Sequence, residues 1–198
     1  MPGKEVNMPR KKINMLKNLD YEILYTENQI EKRVIEIAEL ITRDYKNKNP
    51  YLVGVLRGAF VFLSDLVRNL DFPLNTDFIA ISSYGTSTRS TGVVRFMKDL
   101  DENVEGRHVL IVEDIVDSGR TIAYINDIIR TRKVASLKLV SFLDRPDRRE
   151  VPAEIAYKGF DIPDKFVLGY GMDYNQMYRN VPFIFTCEHL PSEEDIIK

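Results

Sequence analysis

Residues 109–121 read VLIVEDIVDSGRT, and this stretch decides how the rest of the chain is interpreted. Four consecutive apolar residues predict a buried strand that is covered on both faces, as in a parallel sheet. Three carboxylates, Glu113, Asp114 and Asp117, follow directly, and a turn of small and polar residues comes next. Solvated loop acids are one explanation of these charges. We favour a second, in which they bind a ligand at the end of the strand.

Composition and charge exclude several classes of protein. The chain has 198 residues, of which 44% are hydrophobic, as expected for one globular domain. Its 28 basic and 30 acidic residues give a net charge of −2, which argues against binding nucleic acid or an anionic membrane surface. The single cysteine, Cys187, excludes an intramolecular disulfide. The sequence contains no secretory signal and no apolar run of membrane-spanning length, so we expect a cytoplasmic protein.

Signals for strands and helices alternate along the chain. Strands are predicted at 51–56, 77–84, 93–96, 108–114 and 136–144, and helices at 26–46, 59–70 and about 121–131. Thr26 and Gln29 form a capping box that begins the first helix. We predict an α/β fold, with a central parallel twisted sheet and helices on both faces.

The expected domain boundaries follow from changes in composition and in the length of apolar runs. Residues 1–18 are polar and rich in lysine, which is typical of a flexible extension. One domain is expected over 19–190, and a tail over 191–198. From about residue 150 the apolar runs become short and are broken by proline and glycine. We expect residues 150–190 and the N-terminal segment to form a small irregular hood lobe.

The turn DSGRT at 117–121 has the composition of a phosphate site. Small residues let backbone N–H groups point into one concavity, and the start of a helix adds partial positive charge. Glu113 and Asp114 repel each other, and a Mg²⁺ ion together with a vicinal diol would relieve that repulsion. A phosphate next to a diol fits a ribose 5-phosphate. Asp117 lies between the two features, where a carboxylate can exchange a proton with an incoming base.

The stretch 109–121 resembles the signature of the type I phosphoribosyltransferases. Four further segments are similar to the bacterial hypoxanthine and hypoxanthine-guanine members: GVLRGAF (54–60), SSYGTSTRSTGVVR (82–95), DRPDRR (144–149) and IPDKFVLGYGMDYNQMYRN (162–180). The resemblance covers about residues 20–190. It implies Mg²⁺-dependent purine salvage, in which phosphoribosyl pyrophosphate and hypoxanthine or guanine give IMP or GMP and pyrophosphate. It also implies a homodimer or homotetramer.

The resemblance assigns roles to residues that match its motifs. Glu113 and Asp114 would engage the ribose diol and Mg²⁺, and Asp117 would accept a proton from the purine. The 5-phosphate would be wrapped by Asp117, Ser118, Gly119, Arg120 and Thr121. The pyrophosphate would be bound by Arg57, Gly58, Ser83, Tyr84 and Arg179, with a cis peptide bond between Leu56 and Arg57. The purine would be bound by Arg145, Lys165, Phe166, Val167 and Asp173, of which Asp173 would also approach a second Mg²⁺. The loop that begins at Ser83 and Tyr84 would close over the reacting centre.

Two of these assignments differ from the simplest expectation. On sequence alone, Phe166 in FVLGYG is more typical of a core residue than of a ring that stacks on a purine. Arg145 stands where the family usually has a lysine that contacts the purine 6-oxo group. Arginine remains a cationic donor, but its planar fork is bulkier and requires a different approach to that oxygen.

Other functions of the same fold remain open. A regulatory protein could sense phosphoribosyl pyrophosphate and bind nucleic acid, but it would need a basic surface or an added domain. A net charge of −2 and a short N-terminal extension provide neither. A transferase that prefers xanthine or, less favoured, adenine is a closer alternative. The sequence does not rank hypoxanthine against guanine.

Overall fold

Strands and helices alternate, as the sequence pattern predicts, in the computed structural model, which describes residues 14–17, 19–83 and 94–187. The helices are α1 (Glu27–Tyr45), α2 (Phe60–Arg68) and α3 (Arg120–Thr131), with 3-10 turns at Asn14–Leu16 and Pro146–Arg148. The strands are β1 (Tyr21–Tyr25), β2 (Tyr51–Leu56), β3 (Asn75–Ser83), β4 (Val94–Lys98), β5 (His108–Val116), β6 (Ser136–Asp144), β7 (Ile155–Asp161), β8 (Val167–Leu168) and β9 (Ile184–Cys187).

A six-stranded sheet in the order β4-β3-β2-β5-β6-β7 forms the centre of the fold. All neighbouring strands are parallel except β4, which pairs antiparallel with β3 at the edge. Leu110 and Val112 of β5 pack with α1 and α2 on one face, whereas Val109 and Ile111 pack with α3 on the other. Because both faces of β5 are covered, its sequence is apolar without alternation. The predicted α/β fold is confirmed.

Helix α1 begins at the predicted capping box. The backbone N–H of Thr26 donates to Gln29 Oε1 at 2.9 Å, and the Gln29 N–H donates to the Thr26 hydroxyl at 3.4 Å. The apolar residues at helical spacing are buried, which confirms the predicted core face of this helix. None of the described helices combines the length and apolar composition needed to cross a bilayer.

A three-stranded antiparallel sheet in the order β1-β9-β8 forms a small lobe, which we call the hood. Strand β1 belongs to it, and Leu16, which lies within the expected flexible extension, is buried there. The hood begins later than the expected residue 150, because β7 belongs to the central sheet. This edge strand is only partly buried, and Lys158 and Gly159 interrupt its apolar residues. Residues 191–198 lie outside the described part of the chain.

Asp77, at the start of β3, is a buried carboxylate that joins three strands. It accepts four hydrogen bonds: from Lys98 Nζ at 2.9 Å, Tyr51 OH at 3.0 Å, and the N–H groups of Phe78 at 2.6 Å and Asp101 at 2.8 Å. Burial by itself raises the pKa of Asp77, but these hydrogen bonds outweigh burial and lower it to about 2. The network fixes the end of β4, which follows the expected closing loop. Most of that loop lies outside the described residues.

Replacing Asp77 with asparagine is expected to lower the free energy of unfolding at pH 7 by about 2 kcal/mol, because the bond from Lys98 loses its charge. The folded-state pKa of Asp77 lies below its ordinary value, so the stabilisation is full above about pH 4 and is lost as the pH falls towards 2. Urea unfolding of both proteins between pH 7 and pH 3 measures the difference. A difference that stays constant over this range would contradict the role of the charge.

Candidate active site

The carboxyl ends of the parallel strands bring the predicted polar residues to one edge of the sheet. Arg57 and Gly58 follow β2, Glu113 and Asp114 lie in the last part of β5, and Arg145 follows β6. Ligands of open α/β sheets bind at this edge. The structure therefore brings these residues to one edge of the sheet, although they are far apart in the sequence.

Two glycines let three chain segments meet at this edge. A Cβ atom built on Gly58 would lie 1.7 Å from Oδ2 of Asp114, and one built on Gly171 would lie 2.2 Å from the carbonyl oxygen of Gly58. Gly171 also has a φ of +98°, which glycine adopts without steric cost. The backbone of the turn after β2 therefore lies against the Asp114 side chain of β5 and against the backbone of the hood. The peptide bond between Leu56 and Arg57 is cis, as the resemblance implied.

Glu113, which is buried, and Asp114, which is half-buried, form an acidic pair. Burial raises the pKa of Glu113 well above its usual range, and the Asp114 carboxylate adds to this effect. Burial also raises the pKa of Asp114, to about 6, although backbone hydrogen bonds and the Arg179 guanidinium oppose it. Oε2 of Glu113 has no hydrogen-bond partner among the described residues. Such a pair fits a cation and hydroxyl groups as ligands.

A metal would need further ligands beyond this pair. Within the described ranges, no three or more His, Cys, Asp and Glu side chains are grouped so that they could hold a metal ion. Asp173 is therefore not joined to Glu113 and Asp114 in one all-protein site. Mg²⁺ commonly takes one or two protein carboxylates and completes its shell with substrate phosphates and water. The acidic pair fits this mode of binding, and the assignment of Mg²⁺ to these three residues stays a prediction.

The turn between β5 and α3 is held by hydrogen bonds from the loop after β6. The loop after β6 donates hydrogen bonds to three carbonyl groups at this turn: Arg145 N to Val116 at 3.0 Å, Arg149 Nε to Asp117 at 2.9 Å, and Val151 N to Ser118 at 2.9 Å. The C=O and following N–H of a trans peptide point in opposite directions, so the N–H groups of Asp117, Ser118 and Gly119 point away from the loop. Gly119, with a φ of +81°, lies at the N-cap of α3. This arrangement fits an anion, and the assignment of the turn to the 5-phosphate stays a prediction.

The remaining residues of the turn have less direct support for a phosphate contact. The Ser118 hydroxyl accepts a long hydrogen bond, 3.4 Å, from the backbone N–H of Arg120. The Arg120 guanidinium pairs with Glu150, so its side chain is engaged outside the turn. Thr121 is exposed on the first turn of α3. Their assignment to the 5-phosphate site stays a prediction.

Arg145 is buried between Asp117 and the hood. It is 4% exposed, its Nη1 lies 2.9 Å from Asp117 Oδ1, and its Nη2 donates to the carbonyl oxygen of Lys165 at 2.6 Å. The distance to Asp117 is that of an ion pair, but the N–H is not aligned with Oδ1, which has no hydrogen-bond partner among the described residues. Nε of Arg145 also has none there. A hydrogen-bond acceptor, Asp117 Oδ1, and a hydrogen-bond donor, Arg145 Nε, therefore lie side by side.

The expected purine-binding segment lies at the start of β8. Phe166 is 46% exposed, so it is not the core residue that its local sequence suggests. An exposed ring is free to stack on a planar ligand. The ammonium group of Lys165 donates to Glu22 at 2.9 Å. Val167 is buried and pairs with Thr186 of β9, which leaves the backbone of this segment in a defined position.

Two arginines assigned to the pyrophosphate meet at a residue that sequence reasoning missed. Oε1 of Gln176 accepts a hydrogen bond from Arg57 Nη1 at 2.7 Å and another from Arg179 Nη2 at 3.0 Å. Arg179 also pairs with Asp173 at 2.7 Å and donates to the Gly171 carbonyl at 2.6 Å. The hood segment is thereby tied to the turn after β2.

Three further residues of the quoted motifs, Ser83, Tyr84 and Arg149, differ in what the structure shows of them. Ser83 is the last residue of β3, whereas Tyr84 lies outside the described residues. Arg149, in the quoted motif DRPDRR, had no predicted role, yet it donates to the backbone of Asp117 and pairs with Asp144. The density of arginine in that motif was the available signal. It does not reveal which carbonyl groups the side chains reach.

Comparisons with known proteins agree with this geometry. The sequence pattern of the family described as the phosphoribosyl transferase domain matches residues 20–175. The chain is 45% identical over 170 residues to the hypoxanthine-guanine phosphoribosyltransferase of Bacillus subtilis, a match that covers 86% of this chain and 94% of that one. A crystal structure of a hypoxanthine phosphoribosyltransferase from Staphylococcus aureus has a TM-score of 0.84 at 42% identity, covering 89% of this chain and 97% of that one.

Some relatives are much longer. The bifunctional protein TilS/HprT of Listeria innocua is 47% identical over 163 residues, which are 82% of this chain but 25% of that protein. The chain therefore spans about a quarter of the length of the Listeria relatives that it matches.

In metal-free buffer containing EDTA, Asp114→Asn is expected to raise the free energy of unfolding at pH 8 by about 2 kcal/mol, because it removes a charge from a buried site. The folded-state pKa of Asp114, about 6, lies above its ordinary value, so the charged form destabilises the fold. The gain should be full above about pH 6 and vanish below about pH 4. Asp71→Asn, at an exposed position, is the matched control and should change nothing. A D114N protein that is less stable than the wild type at pH 8 would contradict this account.

Proposed function

The chain belongs to the phosphoribosyltransferase family, and we propose that it transfers the 5-phosphoribosyl group from phosphoribosyl pyrophosphate to a 6-oxopurine. Hypoxanthine or guanine would give IMP or GMP, with pyrophosphate as the second product. This is the reaction named by its relatives, and it would serve purine salvage. We keep the cytoplasm as the expected compartment and a homodimer or homotetramer as the expected assembly.

One observation carries this proposal. Among the described residues, three buried side-chain atoms lack a hydrogen-bond partner, and all three lie in the candidate site: Glu113 Oε2, Asp117 Oδ1 and Arg145 Nε. Buried polar atoms are almost always partnered in folded proteins, so this concentration indicates a missing ligand. Two acceptors and one donor at the end of the sheet match the hydroxyl groups of a ribose and one edge of a purine.

The pair formed by Asp117 and Arg145 supports a 6-oxopurine. Such a base presents an N7–H donor beside a carbonyl acceptor on the same edge, opposite in sense to the Asp117 acceptor and the Arg145 donor. Adenine presents an amino group in place of the carbonyl, which would face the arginine with a second donor. A site built to hydrogen-bond one group strongly rejects an analogue that lacks it. The Arg145 fork therefore favours a 6-oxo base.

The remaining residues would hold the sugar and its phosphate. The N–H groups of the turn 117–121 would bind the 5-phosphate, and Glu113 and Asp114 would accept hydrogen bonds from the ribose hydroxyls. The acidic pair would also hold Mg²⁺ together with substrate oxygens, with Asp173 near a second ion. When bound, Mg²⁺ supplies positive charge that stabilises the departing pyrophosphate.

In the proposed reaction, the bond from C1 of the ribose to the pyrophosphate oxygen breaks, and a bond to purine N9 forms. The developing charge on the sugar resembles an oxocarbenium ion, and the N7 proton of the base moves to Asp117. Arg57 and Arg179 would bind the leaving pyrophosphate, since guanidinium groups match phosphate oxygens. Phe166 would stack on the purine, and closure of the loop after Ser83 would exclude water.

Steady-state assays with phosphoribosyl pyrophosphate and Mg²⁺ test the proposal most directly. Hypoxanthine, guanine, xanthine and adenine would be compared as acceptors under identical conditions. We expect turnover of hypoxanthine or guanine, or of both. Turnover confined to adenine would exclude the proposed base specificity, and turnover confined to xanthine would identify the related xanthine transferase.

Asp117→Asn should retain nucleotide binding and lower kcat by about 10² to 10⁴, because an amide does not accept the proton. Steady-state kinetics give kcat, and calorimetric titration with IMP or GMP gives the affinity. Asp127→Asn, at an exposed position of α3, is the matched control and should leave both unchanged. An unchanged kcat in D117N would remove Asp117 from the proposed role.

Arg145→Met should lower kcat/KM for hypoxanthine about 10- to 100-fold, since it removes a buried cationic donor. Arg145→Lys keeps a donor and should recover much of this loss, although one ammonium group does not reproduce both guanidinium contacts. The KM for phosphoribosyl pyrophosphate should change little in either variant. A methionine variant with normal kcat/KM would show that Arg145 does not contact the base.

A further inference from the structure

The turn at residues 174–177 has an unusual residue at its second central position. Tyr174 and Met177 exchange both backbone hydrogen bonds, at 3.2 and 2.9 Å, and the two central residues Asn175 and Gln176 have φ values of +48° and +69°. Two-residue turns with positive φ at both positions favour Asn-Gly, because glycine adopts this conformation without steric cost. Asn175 follows this preference and Gln176 does not. A side chain kept in an unfavourable backbone conformation indicates a function for that side chain.

The contacts of Gln176 identify that function. Its Oε1 lies 2.7 Å from Nη1 of Arg57 and 3.0 Å from Nη2 of Arg179, so one oxygen accepts from two guanidinium groups. These cations come from different parts of the fold, and they repel each other. The Gln176 N–H donates to Oδ2 of Asp173 at 2.8 Å, which fixes the turn beside them. The amide oxygen thus holds two cations at one place.

The neutral character of this residue matters for an anionic ligand. A carboxylate at the same position would neutralise part of the charge of both arginines. An amide oxygen orients the two guanidinium groups through hydrogen bonds and adds no negative charge to that of Asp173, which already pairs with Arg179 at 2.7 Å. Two guanidinium groups oriented in this way suit a diphosphate, whose oxygens can accept hydrogen bonds from both.

We propose that Gln176 is a positioning residue for the pyrophosphate group. It holds Arg57 and Arg179 in the arrangement that a diphosphate requires, before the ligand arrives. This inference deepens the proposed function and rests on it, because it concerns the same site. Gln176 does not take part in bond making or breaking.

Two variants distinguish the effect of the Gln176 amide group from the effect of the turn conformation. Gln176→Gly introduces the residue that the turn favours, so the melting temperature should stay the same or rise, while the acceptor is lost. Gln176→Met keeps a side chain of similar length without the amide oxygen. Asn175→Gly is the matched control, since it makes the same type of change in the same turn. The Asn175 side chain is exposed and makes no hydrogen bond to the described residues.

The measured quantities are the Kd for pyrophosphate with Mg²⁺, by calorimetry, and the KM for each substrate. In both Gln176 variants we expect the Kd for pyrophosphate and the KM for phosphoribosyl pyrophosphate to rise about threefold to tenfold. The KM for the base and the melting temperature of Q176G should not worsen. Asn175→Gly should bind pyrophosphate like the wild type.

Two results would overturn the inference. One is wild-type affinity for pyrophosphate in either Gln176 variant, and the other is an equal loss in the Asn175 control. The binding measurement does not depend on turnover, so it separates this inference from the proposed function. A protein that loses pyrophosphate affinity in both Gln176 variants yet turns over no purine would support the positioning role and refute the proposed reaction.

Discussion

The contact between Gly58, Asp114 and Gly171 is the constraint on which the candidate site depends. Backbone atoms of the turn after β2 lie against the Asp114 carboxylate, and the hood lies against the Gly58 carbonyl. A Cβ atom on either glycine would overlap its neighbour, so the Asp114 carboxylate or the backbone of one segment would have to move. Because the segments are this close, the arginines of the hood and of the β2 turn share one hydrogen-bond acceptor. The acidic pair of β5 lies directly beside them.

This closeness has an energetic cost that the fold carries in the absence of ligand. The buried Glu113 and the half-buried Asp114 are adjacent, and their raised pKa values show that the charged forms are disfavoured. Asp117 Oδ1, which lies at ion-pair distance from Arg145, and Arg145 Nε lack hydrogen-bond partners among the described residues, which adds to the cost. The central sheet and its two hydrophobic layers provide the stability that offsets it. A site of this kind gains stability when a ligand supplies the missing partners.

Much of the fold follows from local sequence patterns. Consecutive apolar residues predict the buried strands, helical spacing predicts α1, and a capping box defines its start, because each signal depends on residues a few positions apart. The exceptions are elements whose burial is set by distant segments. The sequence of β7 suggests irregular structure because this strand is a partly covered edge of the sheet. The sequence around Leu16 suggests a tail because the residues that pack on Leu16 lie in the hood. The local sequence of Phe166 is typical of a core residue, yet its side chain is 46% exposed.

The sequence by itself determined which chemical groups stand at the ends of the strands, and the resemblance of five segments to one family determined the expected reaction. Only the tertiary structure decided how those groups pair. It placed Arg145 between Asp117 and the Lys165 carbonyl, and Gln176 between two arginines, one of them 119 residues away. Such contacts depend on the relative positions of loops that are held by the whole sheet and hood. No local pattern encodes a distance across that many residues.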